Sequence, residues 1–218
     1  MTNTNWTNTN RTNANVKNKI KVIIAEDQAL VRGALTALLN LETDIEIVGE
    51  AENGVEALKL LDKCNVDILL TDIEMPLMSG LELAQITTKK HPEIKTVVIT
   101  TFGRAGYIKR ALTIGVKGFL LKDTPSAELA AALRKVMQGK KVIDPELAIA
   151  ALDDIDPLSD KERKALKLAS EGKTTQEIAL LLFLSEGTIR NYLSECISKL
   201  NATNRIDAAR IAQQKGWL

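Results

Sequence analysis

Five polar side chains in this chain are of types that handle phosphate, and each stands at or just after the end of a short apolar run. Glu26 and Asp27 follow IKVIIA, Asp72 follows ILLT, Thr100 closes TVVIT, and Lys122 follows GFLL. Carboxylates crowded together repel one another unless a cation joins them. An all-oxygen set suits a hard divalent ion, and Mg2+ is the one that keeps waters and accepts a phosphate oxygen. Lys122 adds a compact positive charge suited to phosphate. An aspartate in that setting is a nucleophile for phosphoryl transfer, where positioning and charge neutralisation do most of the work. Thr100 then offers a hydroxyl to the new phosphoryl oxygens. Singly, each residue is also an ordinary strand-end polar group, since DILLTDIEMPLMSG turns at once into proline and glycine. All five gathered at one place are harder to explain that way.

The elements that must gather them are read from periodicity. Strands are expected at Ile20–Ala25, Ile45–Glu50, Asp67–Thr71, Thr96–Thr100 and Lys117–Leu121. Helix-length segments lie between and after them, at Gln28–Leu41, Gly54–Lys63, Gly80–Lys90, Gly106–Ile114 and Pro125–Gln138. Short, continuous apolar strands alternating with helices call for an α/β fold, a five-stranded parallel sheet covered on both faces and doubly wound in the flavodoxin-like manner. Ligands of such sheets sit at the carboxyl ends of the strands, where the five polar residues fall.

Beyond Gly139 the pattern changes. KKVIDPELAIAALDDIDP is an acidic, proline-marked connector with a short helical element, and four helices without strands follow it. Ser159 with Glu162 and Thr174 with Glu177 have capping-box spacing, while Ser185 and Asn204 are plausible caps of the last two helices. The expected organisation is an Asn/Thr-rich disordered tail at 1–19, an α/β domain at 20–138, a linker at 139–156 and an all-α four-helix domain at 157–218. Hydrophobic content of 45% over 218 residues allows one large or two small cored domains. The longest apolar run, Ile178–Leu184, is far too short for a membrane span, so no direct membrane insertion is expected. No apolar leader segment is visible, and the two cysteines, Cys64 and Cys196, fit core packing in a reducing cytosol. A cytoplasmic location is expected. Formal net charge is only +1, but residues 158–218 carry 10 basic and 7 acidic side chains, which permits nucleic-acid binding.

Residues 20–138 resemble the receiver domain of two-component response regulators, through AEDQ, LLTDIEMPLMSG, VVITTF and GVKGFLLKD in that order. The resemblance implies that Asp72 is the phosphoacceptor. It implies Mg2+ held by Glu26, Asp27 and Asp72, with the Glu74 main-chain carbonyl as a further ligand. Thr100 and Phe119 become the switch pair, Phe119 being a core aromatic as well, and Lys122 contacts the phosphoryl group. Glu26 stands where the family often has aspartate, a change that keeps the charge. The phosphodonor would be a phosphohistidine on a separate sensor histidine kinase, because the chain's one histidine, His91, lies in the turn-like KKHPE.

In LSEGTIRNYLSECISKLNATNR, Ile189, Leu193, Cys196, Ile197 and Leu200 fall at helical spacing and leave Arg190, Asn191 and Ser194 on another face. With Thr175–Leu182 before it, the pair fits a helix-turn-helix whose second helix reads the major groove of double-stranded promoter DNA. Spacing alone fits an ordinary helical hairpin equally well. Residues 157–218 resemble the DNA-binding domain of the NarL/LuxR-type regulators, which implies base readers at Arg190, Asn191 and Ser194 and phosphate neighbours at Thr175, Lys199 and Arg205. Tyr192 and Ser194 depart from the family's histidine and basic residue. Fewer positive charges imply weak monomer binding with a shallow salt dependence, and hence dimers on paired half-sites.

QALVRGALTALLNL is apolar on almost every side, and PSAELAAALRKVMQ carries alanines and leucines beyond one stripe. A homodimer formed on phosphorylation is expected through Leu30, Ala34, Leu38, Leu129 and Leu133. The alternative is a small domain with Ala-rich helices packed entirely within it. Two rival functions remain. A metal-dependent hydrolase or phosphotransferase turning over at Asp72 would need a substrate pocket and a second acid or base, and would leave the helix-turn-helix unexplained. A regulator with a silent receiver fits poorly with the complete acidic set, Thr100 and Lys122. AEDQ, DIEMP, TTFGRAGY and LLKDTPSAELA look closest to regulators of membrane-lipid desaturation or membrane stress in Gram-positive bacteria.

Overall fold

Alternate residues of the central strands face opposite ways, and both ways are apolar. This forces a sheet with helices on each side. The computed structural model describes residues 19–101, 103–153 and 156–218, so the expected N-terminal tail lies almost wholly outside the described residues. Strands β1 (Ile20–Ala25), β2 (Ile45–Ala51), β3 (Ile68–Thr71), β4 (Lys95–Thr100), β5 (Gly118–Leu121) and β6 (Val142–Ile143) form one parallel sheet in the order β2-β1-β3-β4-β5-β6. The helices among them are α1 (Ala29–Asn40), α2 (Gly54–Leu61), α3 (Gly80–Lys90), α4 (Ala105–Ile114) and α5 (Ser126–Met137).

Val22, Ile24, Ile68, Leu70, Val97 and Ile99 pack with Leu35 and Leu39 of α1 and with Leu129 and Leu133 of α5. On the other face Ile23 and Leu69 meet α2 and α3 through Ala57, Leu61 and Leu83. Val98 and Phe119 meet α3 and α4 through Leu81, Ala84, Ile108 and Ala111. The expected doubly wound sheet is present.

Two expectations need correction. The segment read as a linker adds the sixth strand to the sheet, and it continues into α6 (Pro145–Asp153), whose Leu147 is buried in the same cluster as Phe119 and Ile108. Two residues of strand are too few to leave a period in the sequence. Leu129 and Leu133 are 2% and 0% exposed, so they belong to the core and offer nothing to a second copy. The alanines of α5 let the helix lie close to the sheet, and its leucines point inward.

Helices α7 (Asp160–Ser170), α8 (Thr175–Leu182), α9 (Glu186–Lys199) and α10 (Arg205–Lys215) close around Leu158, Leu166, Ile178, Ile189, Leu193, Cys196, Ala208, Ala212 and Trp217. Reciprocal capping boxes at Ser159/Glu162 and Thr174/Glu177 start α7 and α8. Ser185 and Asn204 accept backbone N–H bonds at the starts of α9 and α10. Among the described residues no helix is long and apolar enough to cross a membrane.

Candidate functional site

Backbone bonds tie the end of β1 to the ends of both β3 and β2. The Asp72 N–H donates to the Ala25 carbonyl at 2.9 Å, and the Glu26 N–H donates to the Ala51 carbonyl at 3.0 Å. The chain after Asp72 must then turn sharply. The Gly80 N–H reaches back to the Ile73 carbonyl at 2.9 Å, and a Cβ at position 80 would overlap the Asp72 carbonyl oxygen. Only glycine allows that approach.

One carboxylate oxygen from each of Glu26, Asp27 and Asp72 can be chosen so that all lie within 4.8 Å of one another. Glu26 and Asp72 are 0% and 4% exposed, while Asp27 opens to solvent. Lys122, just past β5, places its Nζ 2.7 Å from Glu26 Oε2 and 3.1 Å from Asp72 Oδ2. Burial is the largest influence on all three groups. It raises the Asp72 and Glu26 carboxyls above their usual range, and the Lys122 contacts only partly offset this. Burial pulls the Lys122 ammonium down, but its two carboxylate partners outweigh that and leave it raised.

One ammonium thus serves two buried carboxylates with a third beside them, and the donor set is all oxygen. That composition fits Mg2+, which would be held by Glu26, Asp27 and Asp72. Thr100 at the end of β4 is 4% exposed, and its carbonyl accepts the Lys122 N–H at 2.9 Å. Phe119 in β5 is 1% exposed and packs beside α4. The Glu74 side chain turns away from the cluster: its Oε1 accepts from Arg104 Nη1 at 2.8 Å and from the Tyr107 hydroxyl at 3.2 Å.

In the helical part, Ile189, Leu193 and Cys196 point into the core, which turns Arg190, Asn191 and Ser194 of α9 to solvent. The Arg190 side chain is 67% exposed and pairs with Glu186 one turn earlier at 3.0 Å. Arg205 is exposed, and Thr175 is half-buried at the start of α8. Lys199 is differently placed, with its Nζ 2.8 Å from both carboxylate oxygens of the buried Glu162.

Residues 22–134 match the response regulator receiver domain, and residues 156–212 match the luxR family of bacterial regulatory proteins. The chain is a response regulator of the luxR family. The regulator is 49% identical over 199 residues to the uncharacterized transcriptional regulatory protein YvfU of Bacillus subtilis, covering 91% of this chain and 100% of that one. It is 46% identical over 198 residues to the transcriptional regulatory protein DesR of the same organism, covering 91% and 98%. Among solved structures, RcsB from Salmonella enterica serovar Typhimurium, bound to promoter rprA in the presence of the phosphomimetic BeF3-, aligns with a TM-score of 0.68 at 26% identity. That alignment covers 90% of this chain and 99% of RcsB. The regulator is therefore a DNA-binding protein of two-component signalling, related to transcriptional regulators and not to enzymes that turn over a substrate.

The structure adds residues that the sequence reading passed over. Arg104 and Tyr107 hold Glu74, two positions after Asp72, and Arg104 Nη1 also donates to the Gln213 carbonyl in α10 at 3.1 Å. The regulator's acidic loop is thereby linked to its DNA-binding part by a bond that spans 109 positions of sequence. No local pattern marks such a bond, although an Arg-x-x-Tyr pair on a helix start is a visible cue after the fact.

Proposed function

We propose that the regulator accepts a phosphoryl group at Asp72 from a phosphohistidine on a separate sensor histidine kinase, and that the modified chain pairs with a second copy to bind promoter DNA. The observation that carries this reading is the Lys122 Nζ at 2.7 and 3.1 Å from Glu26 and Asp72, with Asp27 completing the acidic trio. In the transfer an Asp72 carboxylate oxygen bonds to phosphorus, the phosphorus–nitrogen bond breaks, and the imidazole nitrogen leaves with the electron pair. Glu26, Asp27, Asp72 and the Glu74 carbonyl would hold Mg2+, which would supply charge neutralisation for the phosphoryl oxygens. Lys122 meets a phosphoryl oxygen on the other side, and Thr100 offers its hydroxyl while Phe119 repacks against α4.

Support for pairing lies on α1, where Leu30 is 87% exposed, Leu38 is 43% exposed and Ala34 lies between them on the same stripe. Arg190, Asn191 and Ser194 are read as base contacts, with Thr175 and Arg205 near phosphates. Lys199 joins them only by giving up Glu162. The narrower reading, a membrane-lipid or membrane-stress response, rests on the sequence motifs AEDQ, DIEMP, TTFGRAGY and LLKDTPSAELA.

The test is intact mass after incubation with Mg2+ and a small acyl phosphate, for wild type and Asp72→Ala, each sized by sedimentation. One phosphoryl adduct on wild type alone, with a shift to dimer, is the expected result. An adduct of equal yield on Asp72→Ala would place the acceptor elsewhere.

A further inference from the structure

Helix α1 carries a single charged residue, Arg32, on an otherwise apolar and neutral segment. Its side chain is only 12% exposed, and its guanidinium is turned to the loop that bears two of the three carboxylates. Nη1 donates to the Glu26 carbonyl at 2.6 Å and, more weakly, to the Asp27 carbonyl at 3.5 Å. Nη2 donates to Glu52 Oε1 at 3.0 Å, and Nε lies 3.7 Å from Glu50 Oε2. The planar fork therefore ties the loop after β1 to the loop after β2.

We infer that Arg32 is a positioning residue for the divalent-cation site: it fixes the Glu26 and Asp27 backbone so that both carboxylates converge on Asp72. The inference deepens the phosphoacceptor reading and rests on it. Convergence needs such a device because three like charges at close range favour a loop that splays apart. Arg32 opposes splaying without occupying the site, since it binds carbonyl oxygens and leaves the carboxylates for a cation. Glu50 and Glu52 take up its charge on the far side.

Two effects of Arg32 on Mg2+ have opposite signs, and this makes the role testable. As a nearby positive charge it would weaken Mg2+ binding. As a backbone clamp it strengthens binding, because the ligands arrive already placed.

The experiment is Mg2+ titration by calorimetry on the full chain, comparing wild type with Arg32→Gln and Arg32→Lys. Alongside it, acyl-phosphate labelling is followed as a function of Mg2+. Arg32→Gln is expected to weaken Mg2+ binding by on the order of tenfold, the usual loss when a residue supporting metal ligands is removed. Half-saturating Mg2+ for labelling should rise by the same factor, with a smaller fall in the rate at saturating Mg2+. Arg32→Lys should fall between, because one ammonium reaches a carbonyl but cannot also span to Glu52. Equal or tighter Mg2+ binding by Arg32→Gln overturns the positioning role and leaves only the charge effect. Where Arg32→Gln proves unfolded by circular dichroism, Arg32→Lys decides, and wild-type affinity in it overturns the role. A wild type that takes up neither Mg2+ nor phosphoryl group instead removes the pocket reading itself, and the positioning role with it.

Discussion

The Asp72 carboxylate shares one ammonium with Glu26, and burial raises both carboxyls above their ordinary range. A folded-state value above the unfolded one means that the folded protein holds these protons more tightly. Their stabilising contribution is complete below the unfolded carboxyl value, about 4, and is lost as pH rises through the raised folded values. At neutral pH without a divalent cation the pocket works against the fold. Asp72→Asn removes one charge while Lys122 keeps Glu26, so it should raise the melting temperature at pH 7 by roughly 2–4 °C, the shift that ~1 kcal/mol gives in a chain of this size. The gain should shrink toward pH 4, and Mg2+ should stabilise wild type more than the variant. Calorimetric scans at both pH values with and without Mg2+ check this; a variant that melts lower at pH 7 contradicts it.

The two basic residues of α9 invite opposite expectations. Arg190 has a surface pair with Glu186 to give up, and such pairs are weak. Arg190→Ala should cost about 1–3 kcal/mol of promoter binding and relax discrimination at one base position. Lys199 is the partner of a buried carboxylate. Burial pushes Glu162 up, but its bonds to Lys199 and Ser159 prevail and hold it below the usual range. Lys199→Met should therefore lower the domain's melting temperature more than it alters the salt dependence of DNA binding. Fluorescence anisotropy over a salt series, beside thermal melts, separates the two; a salt slope shallower by about one charge in Lys199→Met would make it a phosphate contact after all.

At the scale of elements, α1 and α5 show how alike two apolar helices look in sequence and how differently they are used. Leu30, Ala34 and Leu38 recur every four residues on the outside of α1, while Leu129 and Leu133 recur in the same way on the inside of α5. Leu38→Glu should abolish phosphorylation-driven dimerisation with little change in stability, within about 0.5 kcal/mol for an exposed site. Leu133→Ala should cost about 2–5 kcal/mol of receiver stability whatever the oligomer. Sedimentation of acyl-phosphate-treated protein and denaturant melts provide the two readouts; a dimer that survives Leu38→Glu moves the interface off α1.

Continuous apolar runs were sufficient for five strands of the receiver and helical periodicity for its five helices, because each run is bounded by turn residues that set it apart. The pattern also placed Glu26, Asp27, Asp72, Thr100 and Lys122 at one sheet edge, since strand ends follow from strands. It failed where burial depends on a neighbour's shape. β6 is two residues long, and which face of α5 is inner is decided by the sheet beneath it.

At the scale of the whole molecule, the receiver and the helical part meet along a seam formed by α4 and the turn after α10. Arg110 Nη2 donates to the Gly216 and Leu218 carbonyls at 2.9 and 3.1 Å, and Lys167 of α7 reaches Glu82 of α3 at 3.2 Å. Gly106 lets the two backbones approach: a Cβ there would stand 2.6 Å from Trp217 Cδ1 and 2.7 Å from the Gly216 carbonyl oxygen. The two sides of each of these hydrogen bonds lie 85 or more positions apart, so the seam left no trace in the sequence. Its place beside Arg104, which holds both Glu74 and Gln213, ties its integrity to the loop that bears Asp72.

Gly106→Ala should open the seam at a cost of about 1–3 kcal/mol, the usual penalty for overpacking a tight contact. The chain's other tryptophan, Trp6, is replaced by phenylalanine so that emission reports Trp217 alone, a residue now 7% exposed. Emission should shift to the red and small-angle scattering should give a larger radius of gyration. Arg110→Ala removes two hydrogen bonds without adding bulk, and it should move both observables the same way if the seam, and not a local clash inside α4, is what yields. Should both variants keep the parent's emission and radius, the contact between α4 and the turn after α10 does not hold the two parts together in solution.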